Sequence, residues 1–282
     1  MKLEIEKLIN DFDNKIDKYY RDSIFGNDIL RKFHGTNMYL KEFYDIYSKS
    51  KFFKDKTEED KKINLKILNS LIDIILLNIM INEIDRIDNI GVNIFEPKNE
   101  FEVIYNISKD LNLINKTRIL WERIMNFSYL IIERENLENK LSSKKSKKAF
   151  FKTWYESRGY IFFESYNNFI KVFDEKYRTP ETHKSSTLRK LFFNDDSSPI
   201  LGISFYMTMS FGPTLYPNIL GILKGEKFMR LSWMKIRSIN GKSVPKEFNI
   251  IPDIIRERAT ACGEDIDKLD SFNCIVAVEY ND

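Results

Sequence analysis

Residues 57–86 read Thr-Glu-Glu-Asp-Lys-Lys-Ile-Asn-Leu-Lys-Ile-Leu-Asn-Ser-Leu-Ile-Asp-Ile-Ile-Leu-Leu-Asn-Ile-Met-Ile-Asn-Glu-Ile-Asp-Arg, and this stretch decides the fold. Thr57 suits a helix N-cap. Glu58, Glu59 and Asp60 then fall in the first turn, where carboxylates complement the helix dipole. The polar residues Lys62, Lys66, Asn69 and Asp73 recur at steps of three and four, so they share one face and leave a wide apolar face to bury. The spacing predicts a core helix running to about Arg86. Its most apolar part, Ile67 to Ile81, is shorter than the roughly 20 residues a membrane span needs, and Asp73 and Asn78 interrupt it. No membrane partner is expected.

Outward from this helix the pattern stays helical for most of the chain. Residues 1–50 read as two helices joined near Gly26 and Gly35. The first is amphipathic and lacks the apolar core of a signal peptide. Lys51 to Lys56 is a charged loop. Gly91 to Pro97 is a break, followed by a short helix near 101–111 and a second over about 116–136, where Leu120, Trp121, Ile124, Phe127 and Ile131 share a face. Ser142 to Lys148 carries Lys144, Lys145, Lys147 and Lys148, and reads as a solvated connection or a nucleic-acid contact. Helices over about 147–157 and 160–177 follow, separated by Gly159. After Asp195 to Pro199 the character changes. Residues 200–211 are β-branched, aromatic and small. Phe228 to Ile239 reads as a strand ending at an Asn240-Gly241 turn. Pro252 to Ala261 reads as a short helix closed by Gly263, and Phe272 to Tyr280 as a last strand. The expected fold is mainly α, with a smaller α+β region at the C-terminus. The expected division is 1–56, 57–195 and 196–282.

Composition sets the outer limits. The chain has 282 residues, enough to bury a sizeable core. A hydrophobic share of 43% and an aromatic share of 14% exclude a disordered chain. Lys and Arg total 45 against 42 for Asp and Glu, a formal charge of +3, so any nucleic-acid binding must come from a local patch. Cys262 and Cys274 are the only cysteines. They make no disulfide framework and fit a reducing cytoplasm. With only His34 and His183, no His-rich metal site is expected, and neither is a cofactor. His34 stands three residues after Arg31 and reads as structural.

The string Tyr177-Arg178-Thr179-Pro180-Glu181-Thr182-His183 carries the chemistry. Thr179-Pro180 reads as a helix start, with threonine at the N-cap and proline at the first helical position. That break would place Arg178 and His183 beside one helix N-terminus, where backbone N–H groups attract phosphate. An arginine there binds phosphate in a bidentate way, and a histidine moves protons near neutral pH. These are the parts needed to cleave a phosphodiester from a ribose 2′-OH, which requires RNA. The spacing alone is weak, because a histidine near a helix start also serves structurally.

The Arg178-x4-His183 pair, at the last major helix of a helical core, resembles the R-x4-6-H motif of the HEPN superfamily. The longer string Tyr-Arg-Thr-Pro-Glu-Thr-His-Lys-Ser-Ser-Thr-Leu-Arg-Lys, residues 177–190, is similar to a bacterial HEPN subgroup with an Arg-Thr-Pro-Glu-x-His signature. Residues 116–126, Lys-Thr-Arg-Ile-Leu-Trp-Glu-Arg-Ile-Met-Asn, also resemble that subgroup. The likeness covers about residues 60–195. It implies a HEPN-like helical bundle and a metal-independent endoribonuclease acting as a bacterial toxin or antiviral defence effector. It further implies a homodimer with a composite active site, RNA as substrate, and an antitoxin or defence-system partner. Arg178 and His183 match the family's catalytic positions. The residue after the arginine is commonly Asn, Asp or His in the family, and here it is Thr179 followed by Pro180. Thr179, Lys184, Arg189 and Lys190 are candidate RNA contacts. Glu122, Asn126 and Tyr177 are candidate supports, with Glu122 one turn from Arg118 on its helix. Two other readings stand beside this one: a non-catalytic HEPN module that binds nucleotide or nucleic acid, and a helical protein-interaction scaffold.

Overall fold

The computed structural model describes residues 2–22, 38–83, 100–141, 146–183, 203, 207, 211–235 and 246–281. Its first helices are α1 (Lys2–Asp22) and α2 (Leu40–Tyr47). The Asp13 carboxylate of α1 accepts the backbone N–H groups of Leu40 at 2.9 Å and Lys41 at 3.1 Å, so α1 caps the start of α2. The expected links near Gly26 and Gly35, and His34, lie outside the described residues. Helix α3 (Glu58–Glu83) begins with a reciprocal cap. The Asp60 N–H donates to Thr57 Oγ1 at 3.0 Å, and the Thr57 N–H donates to the Asp60 carboxylate at 3.1 Å. The window Glu58–Ile81 is long and apolar enough to cross a membrane, yet 44% of it is buried inside the protein. Ile67, Leu68, Leu71, Ile74 and Ile75 are fully buried, which makes this a core helix. The Gly91 to Pro97 break lies outside the described residues.

Helix α4 (Glu100–Glu133) is one unbroken helix where the sequence suggested two. Residues 112–115 hold no glycine or proline, and Leu113 and Ile114 are buried, so the core carries the helix through. Arg123 pairs with Asp73 at 2.6 Å and Arg134 with Asp60 at 3.1 Å, so α4 runs antiparallel to α3. Arg134 ends α4 in the left-handed region, with φ 53°, and its guanidinium donates to Asn64 Oδ1 at 2.9 Å and to the Phe52 carbonyl at 3.2 Å.

Helix α5 (Lys147–Ser157) is capped by the Ser146 hydroxyl and tied to α4 by Glu133, which accepts from Trp154 Nε1 and Arg158 at 2.8 Å each. Gly159, with φ +73°, turns the chain where a Cβ would stand 3.3 Å from the Glu279 carbonyl oxygen. A short turn at Ile161–Phe163 leads into α6 (Glu164–Phe173), followed by a π-helical turn over Asp174–Arg178 and α7 (Thr179–His183).

The C-terminal region differs in part from its expectation. Ile203 and Met207 are helical, and Phe211–Leu215 form a π-helical turn into α8 (Tyr216–Lys224), although the composition of residues 200–211 is β-branched, aromatic and small. Ile203, Met207, Phe211 and Leu215 recur every four residues and are all buried, which is a helical period that overrides their composition. Strand β1 (Phe228–Met234) is as expected at its start; the Asn240-Gly241 turn lies outside the described residues. Helix α9 (Asp253–Ala261) ends in a Schellman motif. The Glu264 N–H donates to the Ala259 carbonyl at 2.9 Å and the Gly263 N–H to the Thr260 carbonyl at 3.0 Å, with Gly263 at φ +78°. Strand β2 (Ser271–Ala277) pairs antiparallel with β1, Leu231 opposite Cys274. Two strands alone are marginal. Here Asn218 of α8 completes the edge of β1, donating to the Arg230 carbonyl at 2.7 Å and accepting its N–H at 2.8 Å. The protein is thus mainly helical, with a small two-stranded sheet near the C-terminus.

Candidate functional site

Phe169, Phe173 and Tyr177 stand at four-residue steps and form one buried aromatic edge. Phe169 and Phe173 stack at 6.2 Å, Phe173 meets Tyr177 at 5.6 Å, and Phe248 covers Phe169 and Tyr177 at 5.4 and 5.9 Å. Burial raises the Tyr177 phenol's pKa above its ordinary range, so it remains protonated. This edge fixes the rotation of α6 and of the turn that carries Arg178.

Thr179 does not start a helix. Its dihedrals, φ −64° and ψ −44°, are helical, and its N–H donates to the Asp174 carbonyl across five residues. The chain therefore runs through α6, the π turn and α7 as one helix. Pro180 has no N–H to give to the preceding turn, and in a regular α-helix its ring would strike the carbonyl four residues back. The wider π turn directly before it accommodates that defect. The helix N-terminus expected beside Arg178 and His183 is absent. Helical geometry instead sets the two backbone positions about 7.5 Å apart along the axis and about 140° around it. Arg178, Thr179 and Pro180 are half-buried. His183 closes α7; its side chain, and Lys184, Arg189 and Lys190, lie outside the described residues.

An ionic cluster lies near enough to Arg178 to feel its charge. Asp174, 3% exposed, meets Arg118 Nε at 3.2 Å and Lys148 Nζ at 2.8 Å. Arg118 Nη1 is 3.1 Å from Glu122, and Lys147 reaches the same carboxylate at 3.3 Å. The Arg118 guanidinium lies 4.5 Å over the Trp121 ring, a cation–π contact. Burial pulls its pKa below the ordinary value; Asp174 and Glu122 oppose that, and the charge of Arg178 adds to it. Arg118 Nε and Nη1 and Asp174 Oδ1 are buried without an aligned hydrogen bond. Arg118, Lys147 and Lys148 thus hold the two carboxylates Asp174 and Glu122, with Arg178 near enough for its charge to act on Arg118.

The lysine run ending at Lys148 is therefore more than a solvated connection: Lys147 and Lys148 open α5 and hold acidic groups, while Lys144 and Lys145 lie outside the described residues. Glu122 pairs with Arg118 as its spacing suggests. Asn126 Oδ1 is buried with no hydrogen-bond partner among the described residues. Sequence reading missed Asp174. Its signal was a carboxylate inserted in the apolar stripe Phe169, Ile170, Phe173, Tyr177, where burial demands a cationic partner. Among the described residues, no three His, Cys, Asp or Glu side chains gather to hold a metal ion. Fold and site together define a helical protein with a buried ionic cluster built on the first residue of a π turn. Compared with family models, curated proteins and solved structures, the chain matches none.

Proposed function

We propose that the chain is a metal-independent endoribonuclease of HEPN type. The observation that carries this reading is the nearness of Arg178, within the string that resembles the family motif, to the Arg118–Asp174–Lys148 cluster, close enough for its charge to act on Arg118. In the reaction the ribose 2′-OH attacks phosphorus and the bond to the 5′ oxygen breaks, leaving a cyclic phosphate. His183 transfers the proton, and Arg178 stabilises the charge building on the phosphoryl oxygens. Arg118, held between Asp174 and Trp121, is close enough to Arg178 for their charges to interact, and it adds to the local positive potential. A homodimer with a composite groove, a cytoplasmic toxin or antiviral role, and an antitoxin or defence-system partner complete the proposal. Two free thiols fit that compartment.

The test is RNA cleavage in EDTA with Arg178→Ala and His183→Ala alongside. Each substitution is expected to slow cleavage by about 100-fold or more. Cleavage that survives both, or that needs added divalent metal, overturns the mechanism. The second reading is a module that binds RNA or nucleotide without cutting, and the departure from the family motif at Thr179-Pro180 favours it. Salt-sensitive RNA binding with no product would select it.

A further inference from the structure

Away from the ionic cluster, the β1–β2 sheet has one buried face and one exposed face. Met229, Leu231, Trp233, Phe272 and Val276 are buried, while Phe228, Met234 and Ile275 on the other side are exposed. Strand alternation puts the Cys274 side chain on the buried face, between Phe272 and Val276 and opposite Leu231. Helix α9 packs on both strands with Ile255 and Ala259 buried, so it covers that face. Its entry lies beside the start of β2: the Trp233 indole, opposite Phe272, donates to the Ile250 carbonyl at 3.2 Å. Its end is Cys262, seven residues after Ile255 and three after Ala259, and so on the same side of the helix. Burial pushes the Cys274 thiol up; the Arg258 charge opposes that, and a Cys262 thiolate adds to it, so the last turn of α9 lies near Cys274. Cys262 is exposed and Cys274 half-buried, and both are free thiols.

We propose that Cys262 and Cys274 form a reversible disulfide that clasps the end of α9 to β2 when the surrounding thiol pool becomes oxidising. The co-reactant is a small disulfide such as oxidised glutathione. The exposed Cys262 thiolate attacks one of its sulfurs, a mixed disulfide forms, and one glutathione thiolate leaves. The Cys274 thiolate then attacks the Cys262 sulfur and the second glutathione leaves. The two cysteines lose two electrons and two protons, and one oxidised glutathione becomes two reduced ones. The clasp uses no residue of the Arg178 string. It and the RNA-cleavage reading can each fail while the other stands.

The test equilibrates the full chain with mixtures of reduced and oxidised glutathione, quenches with acid, alkylates the remaining thiols and maps the unreduced digest by mass spectrometry. A peptide pair linking Cys262 to Cys274 within one chain is expected, and dithiothreitol is expected to reopen it. Native packing holds the two thiols together, so the bond is expected to resist reduction at least about tenfold better in the folded chain than in the chain unfolded in urea. Cys274→Ser is expected to stop Cys262 at the mixed disulfide with glutathione. Cys262→Ser, at an exposed position, is expected to keep the native near-UV circular dichroism and to leave Cys274 without a protein partner. The proposal is overturned if the folded chain forms no such link, or forms it only between chains. A link no harder to reduce in the folded chain than in the unfolded one also overturns it.

Discussion

Asp174 and Glu164 show how differently two carboxyl groups behave on one continuous helix. Asp174 is enclosed by Arg118 and Lys148, at 3.2 and 2.8 Å. Replacing Asp174 with alanine leaves the Arg118 guanidinium buried with only Glu122 to answer it. The expected loss is about 3–5 kcal/mol, read from urea unfolding. Replacing both partners, as in Arg118→Met with Asp174→Leu, is expected to cost much less, because neither charge is then stranded. Equal losses in the single and double variants would show that the pair does not matter as a pair. Glu164 makes no ion pair among the described residues, and only the more distant charge of Lys152 favours its ionised form. Burial raises its pKa above the ordinary 4.5, and Asp253 and Glu156 push it further. The folded state therefore favours its protonated form, so the stability it contributes is present below pH 4.5 and is lost as pH rises through the folded value. Glu164→Gln is expected to stabilise the protein at neutral pH, by less than about 1 kcal/mol given its partial exposure, and to do nothing below pH 4.5. Unfolding midpoints at the two acidities decide it.

At the scale of single elements, Pro180 and the π turn before it form one unit. A proline inside a regular helix costs about 3 kcal/mol against alanine, and the i to i−5 bond from Thr179 to Asp174 shows how the helix has widened to tolerate it. Pro180→Ala restores a donor N–H and removes the clash. Stability is expected to rise by about 1–3 kcal/mol by urea unfolding. The turn is expected to tighten toward α geometry, rotating Arg178 against Asp174, so RNA cleavage or binding should fall in the same variant. A less stable Pro180→Ala protein would defeat this account. The same segment shows where sequence is legible. Thr57 and Gly263 act through bonds within a few residues, so their caps can be read directly. Thr179-Pro180 carries the same local chemistry as a helix start, yet tertiary packing decides otherwise: the aromatic edge from Phe169 to Tyr177 holds the helix in line across the junction. The pair Arg118–Asp174 spans two elements far apart in sequence, and no local pattern specifies which cation meets that carboxylate. The helical spacing of Ile203, Met207, Phe211 and Leu215 was available in the sequence, but their composition favoured a strand.

At the scale of the whole molecule, the three sequence segments share one buried apolar cluster. Tyr20, Phe43 and Tyr47 from the first meet Trp121, Phe127 and Phe173 from the second, and Phe211, Leu231 and Val276 from the third. Phe248 lies against Phe169 and Tyr177, so the C-terminal region helps to hold the turn that carries Arg178. Asn281 donates to the Ser157 carbonyl at 3.0 Å, and the Tyr280 ring meets Tyr160 at 5.2 Å, fastening the end of the chain to α5 and the turn after it. A fragment of residues 57–195 would keep the motif string but expose the faces that α2, α8 and the sheet region cover. Its apolar burial would fall while most of its backbone entropy remained to be overcome. The fragment is therefore expected to lack a cooperative melt and a native near-UV circular dichroism signal. The full chain is expected to unfold in one transition, with near-UV dichroism and tryptophan fluorescence coincident. A cooperatively folding fragment would show that residues 57–195 form a self-sufficient domain. RNA cleavage by that fragment would then be the next measurement.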